Sequence, residues 1–93
     1  MSRQQQVSLF PLDDLLDEAS RGIELHGAYN SAHEAYAIIL EELEELWEEV
    51  MKKSSKRSKI KLYSEAIQVA STAYRYSQQL AAEIHKENEN KPL

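Results

Sequence analysis

The chain has 93 residues, no cysteine, 42% hydrophobic residues and a net charge of -5. One small domain is the most such a length supplies, and its limited core makes a partner copy the expectation. Missing cysteines exclude disulfides and thiolate zinc sites and lean towards the cytoplasm, the acidic balance argues against nucleic acid, and no stretch approaches the roughly 18 apolar residues of a membrane span.

Residues 1–10 read as an N-terminal extension. A first helix follows Pro11, a favoured early helical position, with Leu12, Leu15, Leu16, Ala19 and Ile23 at helical spacing before Gly27 ends it. The second opens on Ser31-Ala32-His33-Glu34, a Ser-x-x-Glu capping box whose side chains reciprocally satisfy free backbone N–H groups. It is expected to reach about Lys53, with an apolar seam of Ala35, Ile39, Leu43, Leu46 and Val50.

A polar connection, SSKRSK, leads to a third helix from about Lys59 into the high eighties. Its apolar residues fall on two sides, Ile60, Tyr63, Ile67, Ala70, Tyr74 and Ala81 against Leu62, Ala66, Val69, Ala73 and Leu80. A helix asking for burial on two faces belongs inside a bundle, which three helices of one short chain hardly complete. The expected architecture is therefore all-α, with about three helices per chain completed by oligomerisation, a helical domain over 11–86 and a polar tail over 87–93.

Charge is segregated along the chain. Six of the nine residues from Glu41 to Glu49 are acidic and six of the ten from Lys52 to Lys61 basic. Glu48 and Glu49 stand four residues before Lys52 and Lys53, a pairing worth about 0.2 to 0.5 kcal/mol each. Glu41, Glu42, Glu44 and Glu45 have no Lys or Arg three or four positions away, so something outside the helix should neutralise them. Glu42 lies about 60° from the centre of the apolar seam, where an unpaired charge is costly. An axial separation of about 4.5 Å from Glu45 lets both carboxylates reach one cation, and hard oxygen ligands suit Mg2+ or Mn2+. On the third helix Glu65, Gln68, Thr72, Arg75 and Gln79 form one polar stripe, which antiparallel packing would turn towards Glu42 and Glu45.

The pattern Glu41-Glu42-Leu43-Glu44-Glu45, followed by Glu65-Ala66-Ile67-Gln68, resembles the EExxE and ExxD signature of MazG-like nucleotide pyrophosphohydrolases. The likeness runs from about Asn30 to Leu80. It implies hydrolysis of a nucleoside triphosphate to the monophosphate and pyrophosphate, with carboxylates from both helices holding magnesium. By position Glu41, Glu42 and Glu45 match the first motif and Glu65 opens the second. Gln68 stands where that pattern has Asp; it offers a carbonyl oxygen but no charge, so weaker metal binding is expected.

A carboxylate left free by the metal would act as general base, Glu41 or Glu45. Lys56, Arg57 and Lys59 in the connection, or Arg75 in the third helix, are the candidates to hold the triphosphate; Arg75 has the alternative of a salt bridge to the acidic cluster. A homodimer or dimer of dimers is expected, with neither nucleic acid nor membrane as partner. The rival reading is a non-catalytic helical interaction module. Trp47 is expected in the core or an oligomer interface, His26, His33 and His85 in structural or surface roles, and Tyr29 and Asn30 in the turn before the second helix.

Overall fold

The computed structural model describes residues 7–90, so the outer parts of the expected extension and tail, 1–6 and 91–93, lie outside the described residues. Three helices follow in order, α1 (Pro11–His26), α2 (Ala32–Val50) and α3 (Lys59–Glu89), with no strand among the described residues.

Each helix starts where local chemistry asks it to. Pro11 opens α1, and Asp13 and Asp14 sit in its first turn, where the helix dipole favours negative charge. Asp14 also ties elements together, accepting hydrogen bonds from the Ser8 N–H at 3.0 Å and from the Tyr63 hydroxyl of α3. Gly27 ends the helix with φ 70°, the left-handed conformation that costs glycine least. At the start of α2 the Ser31 hydroxyl accepts from the Glu34 N–H at 3.0 Å. The reciprocal half of the box differs from expectation: Glu34 reaches back to the side-chain amide of Asn30 at 3.0 Å.

One helix boundary departs from the sequence reading. Helix α2 stops at Val50, short of Lys53, because Arg57 folds back and its Nε donates to the carbonyls of Val50 and Lys52 at 2.9 and 3.0 Å. The Val50 carbonyl is one that a helix end leaves without an intrahelical donor. Helix α3, capped by the Ser58 hydroxyl on the Lys61 N–H, continues to Glu89. Residues 87–89, expected in the tail, are thus helical; no proline or glycine interrupts them.

Helix α3 is the central element. Both α1 and α2 pack on it, and they do not pack on each other. The α2–α3 hairpin is antiparallel and clamped at both ends. At one end Gln79 accepts from the Tyr29 N–H at 2.8 Å and donates to the Tyr29 carbonyl at 2.9 Å. At the other Glu49 accepts from the Ser58 N–H at 3.0 Å.

The interior is thin and polar. Ala19, Tyr29, Ala35 and Ile67 are the buried apolar residues among those described, while Glu18, Glu49, Glu65, Ser71, Thr72 and Arg75 are buried too. Burial on α3 does not simply follow the two expected apolar faces: Ile67 is enclosed, Ile60 and Leu80 are exposed, and Glu65, Thr72 and Arg75 of the polar stripe are buried. The radius of gyration is 15.8 Å, against about 12 Å for a globular chain of this length. The α2 seam is split: Ala35 is buried and Ile39 half-buried, whereas Leu43 and Val50 are exposed and line a groove with Leu40, Leu46 and Trp47.

Candidate metal centre

Helical spacing puts Glu42 and Glu45 on one side of α2, one turn apart. The clamps at either end of the hairpin fix the rotation of α2 so that this side meets Glu65 on α3. Carboxylate oxygens of Glu42, Glu45 and Glu65 lie no more than 4.8 Å from one another. They form one wall of a cleft of about 520 Å³, which Arg21, Lys52, Lys61 and Gln68 also line.

These carboxylates lack sufficient counter-charge. Glu65 is 6% exposed; its Oε1 accepts from Lys61 Nζ at 2.9 Å, whereas its buried Oε2 meets no donor among the described residues. Glu42 and Glu45 make no ion pair among the described residues. Burial, then the neighbouring charges of Glu45, Glu65 and Glu41, push the Glu42 carboxyl up to about 7. Partial desolvation and the Glu65 charge raise Glu45 as well. Lys61 is held more tightly protonated by its bond to Glu65.

The donor set fits a hard divalent cation. Three carboxylates converge, and the orphaned Oε2 of Glu65 is an acceptor that burial makes costly to leave unmatched. Oxygens on opposite sides of magnesium, bonded at about 2.1 Å, stand about 4.2 Å apart, so side-chain rotations suffice to close the set. Manganese shares the oxygen preference.

The other residues singled out in the sequence divide between this site and other places. Gln68 lines the cleft beside Glu65. Glu41 is exposed and outside the three-carboxylate group, one residue round the helix from Glu42, and acts on the others through its charge. Lys56, Arg57 and Lys59 do not line the cleft. Lys56 and Lys59 are exposed, and Arg57 caps the end of α2. Arg75 forms no ion pair with the acidic cluster; its guanidinium lies over the Tyr29 ring, 4.8 Å from the centroid. Tyr29 is a buried anchor, donating its hydroxyl to the Thr72 carbonyl at 3.0 Å. Trp47 is 57% exposed and does not belong to the chain's own core.

Glu49 pairs with Lys52 at 2.7 Å, three positions on, rather than with Lys53. That bond and the Ser58 N–H hold its carboxyl below the usual range. The cleft cations Arg21, Lys52 and Lys61 were missed in the sequence. A usable signal existed for Lys61, which lies four residues before Glu65; Arg21 reaches the cleft from α1 only through tertiary packing. The chain matches no protein-family model, curated protein or solved structure, so the MazG likeness rests on its motifs and spacing.

Proposed function

We propose that the protein is a magnesium-dependent, MazG-like nucleoside triphosphate pyrophosphohydrolase that releases pyrophosphate and the nucleoside monophosphate. One observation carries the reading: Glu42, Glu45 and Glu65 converge within 4.8 Å from two helices. The orphaned Glu65 oxygen supports it, because a bound cation would satisfy that acceptor. Magnesium, when bound, stabilises charge developing on phosphate oxygens and acidifies attacking water.

The chain's own groups divide the remaining work. Glu65 is the buried ligand and Glu42 a half-buried one. The general base is a carboxylate the metal leaves free: Glu41, which stands outside the group, or Glu45, on its exposed side with its affinity for a proton raised. Gln68 contributes a neutral oxygen where a charged one would bind more tightly. Lys52 and Lys61 line the same cleft, each paired with one of its carboxylates, Glu49 and Glu65. The groove of Leu40, Leu43, Leu46, Trp47 and Val50 favours a second copy of the chain against α2, giving a homodimer or a dimer of dimers.

The decisive experiment measures pyrophosphate release from a panel of canonical and modified nucleoside triphosphates, with and without magnesium, in the native chain, Glu42→Gln and Gln68→Asp. Magnesium-dependent turnover that Glu42→Gln abolishes and Gln68→Asp raises is the expected result. No turnover in any of the three leaves a non-catalytic helical module.

A further inference from the structure

A second, smaller cavity of about 120 Å³ opens beside the carboxylate cleft, walled by α1 and α3 with Ile38 and Glu42 of α2, and shares Arg21, Glu42 and Gln68 with it. One of its walls is Arg75. That side chain is 8% exposed, yet no carboxylate pairs with it among the described residues. Its Nε is buried without an acceptor, and its Nη2 makes only a long bond, 3.4 Å, to the Gly27 carbonyl. A guanidinium cannot escape its charge by losing a proton, so enclosing it without an anion is costly.

Helix α1 is shaped around this group. A Cβ at Gly22 would stand 2.8 Å from Arg75 Nη1 and 2.9 Å from its Cδ. Any larger residue would push the guanidinium aside, and glycine in a helix interior otherwise costs about 0.5 to 1 kcal/mol. Arg21, the adjacent residue, also lines the cavity. Its present partner is Glu18, at 2.9 Å, so the acid on this wall is already neutralised. The other acid, Glu42, belongs to the metal cluster.

We propose that this cavity is an oxyanion subsite for a phosphate group, gripped by Arg75 and Arg21 next to the carboxylate cluster. Two planar guanidinium forks supply the geometry that phosphate oxygens bind best. Naming the anion as the substrate's own phosphate chain rests on the pyrophosphohydrolase reading; anion binding itself does not.

The test is calorimetric titration of inorganic pyrophosphate into the full chain in EDTA, for the native protein, Arg75→Lys and Arg21→Gln. The native chain binds without metal, and each variant binds about tenfold or more weakly, the loss expected when charge-assisted hydrogen bonds are removed. Arg75→Lys keeps the charge and removes the fork; circular dichroism verifies its fold. If it does not fold, Arg21→Gln decides, since that side chain is 39% exposed. Absence of binding to the native chain, or equal affinity in the folded variants, overturns the subsite. The magnesium-induced rise in Tm, read on the same samples, reports the carboxylate cluster separately, so the two readings can fail independently. Displacement of pyrophosphate by a non-hydrolysable nucleoside triphosphate supports the nucleotide's phosphate chain as occupant; displacement by inorganic phosphate but not by the nucleotide supports free phosphate.

Discussion

Helix α2 presents two long stripes that differ in chemistry and in fate. Ala35, Ile39, Leu43, Leu46 and Val50 form the apolar one; Ala35 is buried, while Leu43 and Val50 remain 48% and 37% exposed. The other runs through Glu42, Glu45 and Glu49, and its last position, Glu49, is buried. A helix docked by hydrophobicity alone would have turned the first stripe inward. Here the carboxylates face α3, and the difference teaches what each face needs: the inner one a cation, the outer one another apolar surface.

The largest expected effect breaks the inner face. Glu65→Gln should lower magnesium-dependent pyrophosphate release by about a hundredfold or more, since losing even an outer partner of a metal ligand costs about 10- to 100-fold. A variant retaining native rates would remove Glu65 from the metal site. Magnesium at about 100 times its Kd should stabilise the native chain by about 2.7 kcal/mol. With about 4 to 8 °C of Tm per kcal/mol for a small domain, scanning calorimetry should register a rise on the order of 10 °C, absent in Glu65→Gln.

The outer face is tested by Leu43→Lys, which puts a charge into the exposed apolar groove without touching the cluster. Sedimentation velocity should find the native chain assembled and the variant monomeric at the same concentration. A monomeric native chain would show that α2 leaves its apolar stripe open to solvent.

Acidity sharpens the contrast more gently. Between pH 4.5, the ordinary carboxyl value, and about 7, the folded chain holds a proton on Glu42 that the unfolded chain has released. Folded protein therefore binds more protons in that window, and stability in EDTA should fall as pH rises through it and level off above. Magnesium should weaken this slope by neutralising the same carboxylates. Chemical denaturation at several pH values, with and without the metal, measures both; a metal-free slope of opposite sign would contradict the crowding of Glu42. The smallest effect belongs to neither face. Ser31→Ala removes the cap of α2 and should cost about 1 kcal/mol, with no change in magnesium affinity.

Much of this architecture was legible in the chain. Pro11, the Ser31 cap and Gly27 mark helix boundaries because each acts on backbone groups within a few residues of itself. The pairing of Glu42 and Glu45 was equally local, and the polar stripe of α3 named Glu65 and Gln68 as partners across an antiparallel hairpin. What escaped was non-local. Arg57 shortens α2 from seven residues beyond Val50, and Arg21 enters the cleft from a different helix.

Sequence by itself determined three helices, their starts and the acids able to share a cation, since periodicity and capping depend on neighbours within a turn or two. Tertiary structure decided which face of α2 turns inward. That rotation is accompanied by Gln79 on Tyr29 and by Glu49 on Ser58, contacts between chain segments that meet only after folding and that periodicity within one helix does not encode.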